Sequence, residues 1–227
     1  MRSKRYKEAK AQVDPKKTYG LDEAIELLKK TNMAKFDAAA ELHVKLGIDP
    51  TKSDQQVRGT VSLPHGTGKT KRVAAFVEAE KEAEAKAAGA DVYGGEELIE
   101  KIAKSGQIDF DVAVATPVMM PKLAKLAKIL GPKGMMPNPK TDTINPNVAK
   151  MVTEQKAGKL SFKNDDTGNI HQVIGRLSFD NAKLKENLST LLDAIRKVKP
   201  ASSKGIYFRT AVICSTMSPA IHIETPV

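Results

Sequence analysis

The chain has 227 residues, 41% hydrophobic and 28% charged, with 37 basic against 27 acidic side chains, a net charge of +10 and a pI near 9.5. It is long enough for two domains with real cores, too apolar for a disordered chain, and basic enough to favour an acidic partner. Aromatic residues at 4% and the absence of tryptophan argue against wholesale base stacking, and one cysteine excludes an internal disulfide or a thiolate zinc cluster.

The first 17 residues are rich in Lys and Arg, with only Glu8 and Asp14 opposing them. They read either as a solvated tail or as a basic arm on a nucleic-acid partner. Residues 1–7 lack the apolar core of a secretory signal, and no apolar run approaches the roughly 20 residues that span a bilayer. A soluble, cytoplasmic protein is expected. Leu21, Ala24, Ile25 and Leu28 recur at helical spacing. From Glu41 the pattern alternates: Leu42, Val44 and Leu46 face one side of a half-buried strand, with Glu41, His43 and Lys45 opposite. Residues 57–63 are strand-like, and the turn residues 64–68 break them.

The rhythm then changes. Buried strands are expected at 73–77, 90–93 and 112–115, alternating with helices at 78–88, 96–104 and from Pro117 to about Leu130. Such alternation argues for a parallel sheet covered on both faces. Gly131 to Lys140 holds three prolines and two glycines, so it is a loop, and no acid lies between Asp111 and Asp142 to offset its lysines. A helix is expected over 147–156. Residues 160–163 and 170–179 then read as two strands of a hairpin turned at 164–168. Leu184 to Val198 carries a strong helical stripe, residues 207–214 form a strand with Cys214 as a buried structural thiol, and 221–223 a short final strand.

The simplest architecture is a discontinuous outer α+β domain, residues 1–66 and 160–227, interrupted by an inserted α/β domain of Rossmann-like type at 67–159. The insert carries 15 basic and 12 acidic groups, the outer pieces 22 and 15, so the outer domain is the better polyanion surface. Gly66-Thr-Gly-Lys-Thr70 lacks the first glycine of a nucleoside-triphosphate loop, since Leu63 stands there, and it leads into a strand rather than a helix. The four histidines show no metal-ligand spacing, and no nucleophile is coupled to a base. No enzyme, no cofactor and no metal are expected.

Ile129 to Lys140 resembles the signature loop of the L-one family of large-subunit ribosomal proteins, those of the mobile stalk, in its bacterial form. Ala34-Lys-Phe-Asp37, Leu46 to Pro50, Gln56 to Gly66, Gly94-Gly-Glu-Glu97, Phe162-Lys-Asn-Asp165 and Ser215-Thr-Met217 agree along the chain. The resemblance implies that the outer pieces pack as one domain, joined to the insert by a two-strand hinge at Thr67, Gly68 and Lys159. It implies binding to the stalk region of 23S ribosomal RNA, help in releasing deacylated tRNA from the exit site, and repression of the protein's own operon mRNA. The RNA-binding residues it implies are Lys35, Phe36, Lys163, Asn164, Asp165, Thr167, His171, Thr210, Ser215, Thr216 and Met217, with Lys133 and Lys140 of the inserted domain facing tRNA. No membrane partner is implied, and the protein would be a monomer off the ribosome. The residue-level reading leaves Phe36 open between core and ligand. Three positions depart from the family pattern: Ser218 replaces a glycine, Ala39 a threonine and Asp166 a lysine. The alternatives are a non-ribosomal RNA-binding translational regulator of the same fold, and a nucleotide-dependent enzyme built on the central domain.

Overall fold

The computed structural model describes residues 3–225. In chain order the elements are α1 (Lys4–Ala11), α2 (Leu21–Lys30), β1 (Ala39–Leu46), β2 (Arg58–Ser62), β3 (Val73–Phe76), α3 (Glu82–Ala87), β4 (Val92–Gly94), α4 (Glu96–Ser105), β5 (Val112–Ala115), α5 (Met120–Leu123) and α6 (Ala127–Leu130). They continue with α7 (Val148–Lys156), β6 (Lys159–Lys163), β7 (Asn169–Arg176), α8 (Asn181–Lys197), β8 (Phe208–Ser215) and β9 (Ile221–Ile223). The chain forms two compact units, residues 1–68 with 161–227, and residues 69–160.

The first unit is built on a sheet in the order β7-β1-β8-β9, with antiparallel pairs throughout. Strand β1 alternates strictly, burying Ala40, Leu42, Val44 and Leu46 and leaving the residues between them half-buried. Helices α2 and α8 cover the buried face. Leu184, Leu188, Leu191, Leu192 and Ile195 give α8 one apolar stripe, because residues three and four apart share a helix face. Buried Asn187 interrupts that stripe and is fully partnered: its amide donates to the carbonyls of Gly66 (2.9 Å) and Ile174 (2.8 Å), and its oxygen accepts from the His65 amide (3.2 Å). With one face covered, the other face of the sheet stays open.

The second unit is a parallel sheet, β4-β3-β5. Every residue of β3 is buried. Ala74 and Phe76 pack with Ala113, Ile99, Ile102, Met119, Leu123, Leu126 and Leu130 on one side, while Val73, Ala75 and Val77 meet Ala85, Val148, Met151 and Val152 on the other. A strand covered on both faces reads as a continuous apolar run, as this one does.

Four expectations are corrected. Residues 4–11, read as a tail or arm, form helix α1, capped by the Ser3 hydroxyl on the Tyr6 amide; residues 1–2 of that basic segment lie outside the described residues. The stretch 78–88 begins as a 3-10 turn and becomes helical at Glu82. The stretch from Pro117 to Leu130 is not one α-helix but alternates 3-10 and α turns. Its sequence, Lys-Leu-Ala-Lys-Leu-Ala-Lys, repeats every three residues. Winding near 3.0 residues per turn sets Leu123 and Leu126 in line on the core side, where a winding of 3.6 would offset them by about 60°. Finally, β6 and β7 are not a hairpin. Strand β6 pairs with β2 and β7 with β1, in separate sheets, because the 164–168 turn diverts the chain between them.

Candidate nucleic-acid interface

The open face of the first unit's sheet is lined by Glu41, His43 and Lys45 of β1, His171 of β7, and Thr210, Val212 and Cys214 of β8. The register sets His43 opposite His171 and Val212, Glu41 opposite Cys214, and Lys45 opposite Thr210. At roughly 3.3 Å per residue, β1 makes this face about 23 Å long. A chain of polar contacts runs along it. The Thr216 hydroxyl meets Glu41 at 3.3 Å, His43 Nε2 lies 3.1 Å from Cys214 Sγ, and His43 Nδ1 lies 2.8 Å from His171 Nδ1. His171 Nε2 is 3.5 Å from the Asp165 carboxylate. Burial holds His43 below the ordinary imidazole range, with neighbouring His171 adding to the effect. Burial, with the Glu41 charge beside it, pushes the Cys214 thiol up to about 11. The thiol is half-buried and protonated near neutrality, not an activated nucleophile.

One end of the face is the turn between β6 and β7. Asn164 is buried and clamps that turn to the start of β2: its side-chain oxygen accepts from the Val57 amide (2.8 Å) and its backbone N–H donates to the Val57 carbonyl (3.0 Å). Asp165 organises the residues that follow. It accepts from the Asn169 amide (2.6 Å), the Thr167 amide (2.9 Å), the Thr167 hydroxyl (2.8 Å) and Asn169 Nδ2 (3.1 Å). These bonds, the Asn169 amide foremost, hold its carboxyl well below the usual range. Lys45 donates to the Thr167 carbonyl. Lys163, Asp166 and Thr167 are exposed, as are His171 and Thr210.

The other end is the β8 terminus. The Thr216 amide donates to the Ala39 carbonyl (3.1 Å), and its hydroxyl oxygen accepts from the Ala39 amide (3.2 Å), which fixes the 35–39 segment beside it. Met217 has φ 70° and stands 76% exposed; Phe36 is 56% exposed and so is not a core residue. A cavity of about 580 Å³ lies between Met217, Ser218, Met33, Ala34 and the start of α1 at Ser3, Arg5 and Tyr6. Ser218, where the family pattern has glycine, adopts an ordinary φ; the left-handed residue is Met217. The Ser218 amide closes the turn on the Ser215 carbonyl (2.9 Å). Its hydroxyl accepts from buried Ser215 (2.6 Å) and donates to the Thr31 carbonyl (3.3 Å). Serine therefore braces the turn instead of straining it.

Sequence reasoning named the two ends of this face together with His171 and Thr210, but did not assign Glu41, His43 and Lys45 to the site. The signal was present: the alternation that buries Leu42 and Val44 necessarily presents the residues between them on the opposite face.

In the second unit, the 131–140 loop is ordered from within. Met135 and Met136 pack against the core, and Pro137 is buried. The Asn138 amide donates to Thr143 Oγ1 (2.8 Å), while the Asn138 side-chain oxygen caps the Lys140 amide (2.9 Å). Lys133 and Lys140 are exposed and make no ion pair among the described residues, whereas Lys122 is paired with Glu96. Of the residues assigned to a hinge, Gly68 has φ 74°, and a side chain there would lie 2.7 Å from Arg176 Cγ. Thr67 is buried, and Lys159 is held by Glu154 (2.7 Å) and Asp142 (3.2 Å).

The fold thus defines a class: an α+β unit with one open polar sheet face, interrupted in sequence by a Rossmann-like α/β unit. The sequence matches the Ribosomal protein L1p/L10e family over residues 28–219, and the chain belongs to that family. It is 56% identical to "Large ribosomal subunit protein uL1" of Kosmotoga olearia, covering 98% of this chain and 96% of that one. It is 52% identical to the protein of the same name from Fervidobacterium nodosum, covering 98% and 94%. Membership in a ribosomal protein family makes this a structural protein and not an enzyme. No helix among the described residues is long and apolar enough to cross a membrane.

Proposed function

We propose that this chain is a cytoplasmic component of the large ribosomal subunit that binds the stalk region of 23S ribosomal RNA through the open face of its first unit. Segments 35–45, 163–171 and 210–217, far apart in sequence, share one face, and that convergence carries the reading. The face offers hydroxyls, carboxylates, a lysine and one exposed ring with few stacking platforms, which suits recognition of a folded RNA by shape and 2′-hydroxyls. The exposed lysines of the 131–140 loop support a contact to exit-site tRNA by the second unit. Repression of the protein's own operon mRNA follows if that leader presents the same RNA shape to the open face. The two chain crossings near Gly68 and Lys159 form the proposed hinge.

The test is binding to a stalk rRNA fragment and to a scrambled hairpin of equal length across a salt series. Preference for the stalk that persists at high salt is expected, with Thr216→Ala weakening it by about tenfold or more, on the scale of one or two lost polar contacts. Equal binding to both RNAs, collapsing together as salt rises, means unspecific attraction to the +10 charge and overturns the reading. Deacylated tRNA and the operon leader enter the same assay. Lys133→Ala with Lys140→Ala lowers tRNA affinity alone, and the leader competes with stalk RNA.

A further inference from the structure

We propose that Cys214 Sγ, His43 Nε2 and a carboxylate oxygen of Glu41 bind one divalent transition-metal cation of the zinc type, leaving a fourth position open toward the exposed face. The three ligand atoms already lie within 4.8 Å of one another. His43 Nε2 is 3.1 Å from Cys214 Sγ and 3.7 Å from Glu41 Oε2. A tetrahedral zinc ion with bonds of about 2.0–2.3 Å sets neighbouring ligand atoms roughly 3.2–3.7 Å apart, close to both separations from His43 Nε2. Sheet geometry is the cause. Glu41 and Cys214 are a directly opposed cross-strand pair, and His43 lies two residues along β1 on the same face.

Support behind the ligands matches what a metal needs. The Asp165 carboxylate lies 3.5 Å from His171 Nε2 and favours the proton there, an arrangement in which His171 Nδ1 accepts from His43 Nδ1–H across 2.8 Å. That arrangement selects the His43 tautomer whose Nε2 lone pair faces Cys214 and Glu41. This Asp165–His171–His43 relay corresponds to the carboxylate–histidine support found behind metal-ligating imidazoles. Glu41 is steadied in turn by the Thr216 hydroxyl at 3.3 Å. Thiolate, imidazole and carboxylate together suit zinc or cobalt better than magnesium or calcium, which take oxygen donors. On binding, the Cys214 S–H bond is replaced by an S–metal bond, and the proton leaves to solvent. Sequence spacing could not show the site, since its ligands come from strands about 170 residues apart.

The experiment uses the untagged full-length protein, titrated with Zn²⁺ by calorimetry and with Co²⁺ by absorption spectroscopy. One saturable site is expected, with a sulfur-to-cobalt charge-transfer band in the near ultraviolet. Cys214→Ser abolishes the band and weakens Zn²⁺ binding at least 100-fold. His171→Ala, which removes only support, weakens binding about 10- to 100-fold while keeping the band. Far-ultraviolet circular dichroism checks that each variant folds, and Glu41→Gln replaces Cys214→Ser should the latter not fold. Absence of saturable Zn²⁺ binding, a cobalt spectrum without the sulfur band, or full affinity in a folded Cys214→Ser protein each overturns the proposal. None of these readouts involves RNA, so failure here leaves the ribosomal reading intact, and failure of that reading leaves the metal site standing.

Discussion

Asp165 shows how one side chain can set the shape of a recognition surface. Four donor groups from Thr167 and Asn169 converge on its carboxylate, so the turn is organised around a charge rather than around an apolar contact. Because those bonds favour the ionised form, its folded-state pKa is depressed below the unfolded value of about 3.9. The sign follows from proton binding: above the unfolded pKa both states are ionised and the full contribution is present, while below it the unfolded chain takes up a proton first and the contribution is lost. Asp165→Asn removes it at all pH values. The variant should melt about 2–4 °C below the parent near pH 7, a modest amount because the carboxylate is partly exposed and screened. The gap should narrow as pH falls below about 4. Thermal unfolding of both proteins from pH 3 to 7 measures it, and a gap independent of pH would count against the charge as the organising element.

Elements were legible where a single period governs them. The alternation of β1, the apolar run of β3 and the stripe of α8 each state one structure, and each is found. What escaped is instructive in physical terms. Helix α1 has too few apolar residues for its pattern to declare a helix, and only Ala9 is buried. The exchange of partners between β6 and β7 is a tertiary decision, made by β1 and β2 competing for strands that local sequence would join as a hairpin. On the open face, residues at the ends were named through the family resemblance, but the His43–Cys214 contact depends on strand register, which local sequence does not encode. The three-residue repeat of 122–128 gives the sharpest element-scale prediction. With Leu126 fully buried and Lys125 exposed, Leu126→Ala should destabilise the second unit by about 2–5 kcal/mol and Lys125→Ala by less than about 0.5. Amide exchange in β3 of the full-length variants reads both. Similar losses for the two would mean that Leu126 is not the buried anchor of this segment.

At the scale of the whole molecule, division of charge and division of cores lead to the same place. Each unit has its own sheet and its own buried residues, and the chain crosses between them near residues 68 and 160. The inserted segment is nearly balanced in charge, whereas the outer pieces carry most of the basic excess together with every residue of the open face. If stalk RNA is read by that face, residues 69–160 can be replaced by a short glycine linker with affinity for the stalk fragment kept within about tenfold. The slope of affinity against salt should also hold, since it reports how many phosphates are neutralised and the cations responsible lie outside the insert. Contact with tRNA, by contrast, should vanish with Lys133 and Lys140. A folded excised protein that lost stalk binding more than 100-fold, or whose salt slope fell by several units, would show the second unit gripping the same RNA. The open sheet face would then be only part of the site, and the lysines of the 131–140 loop would belong to it.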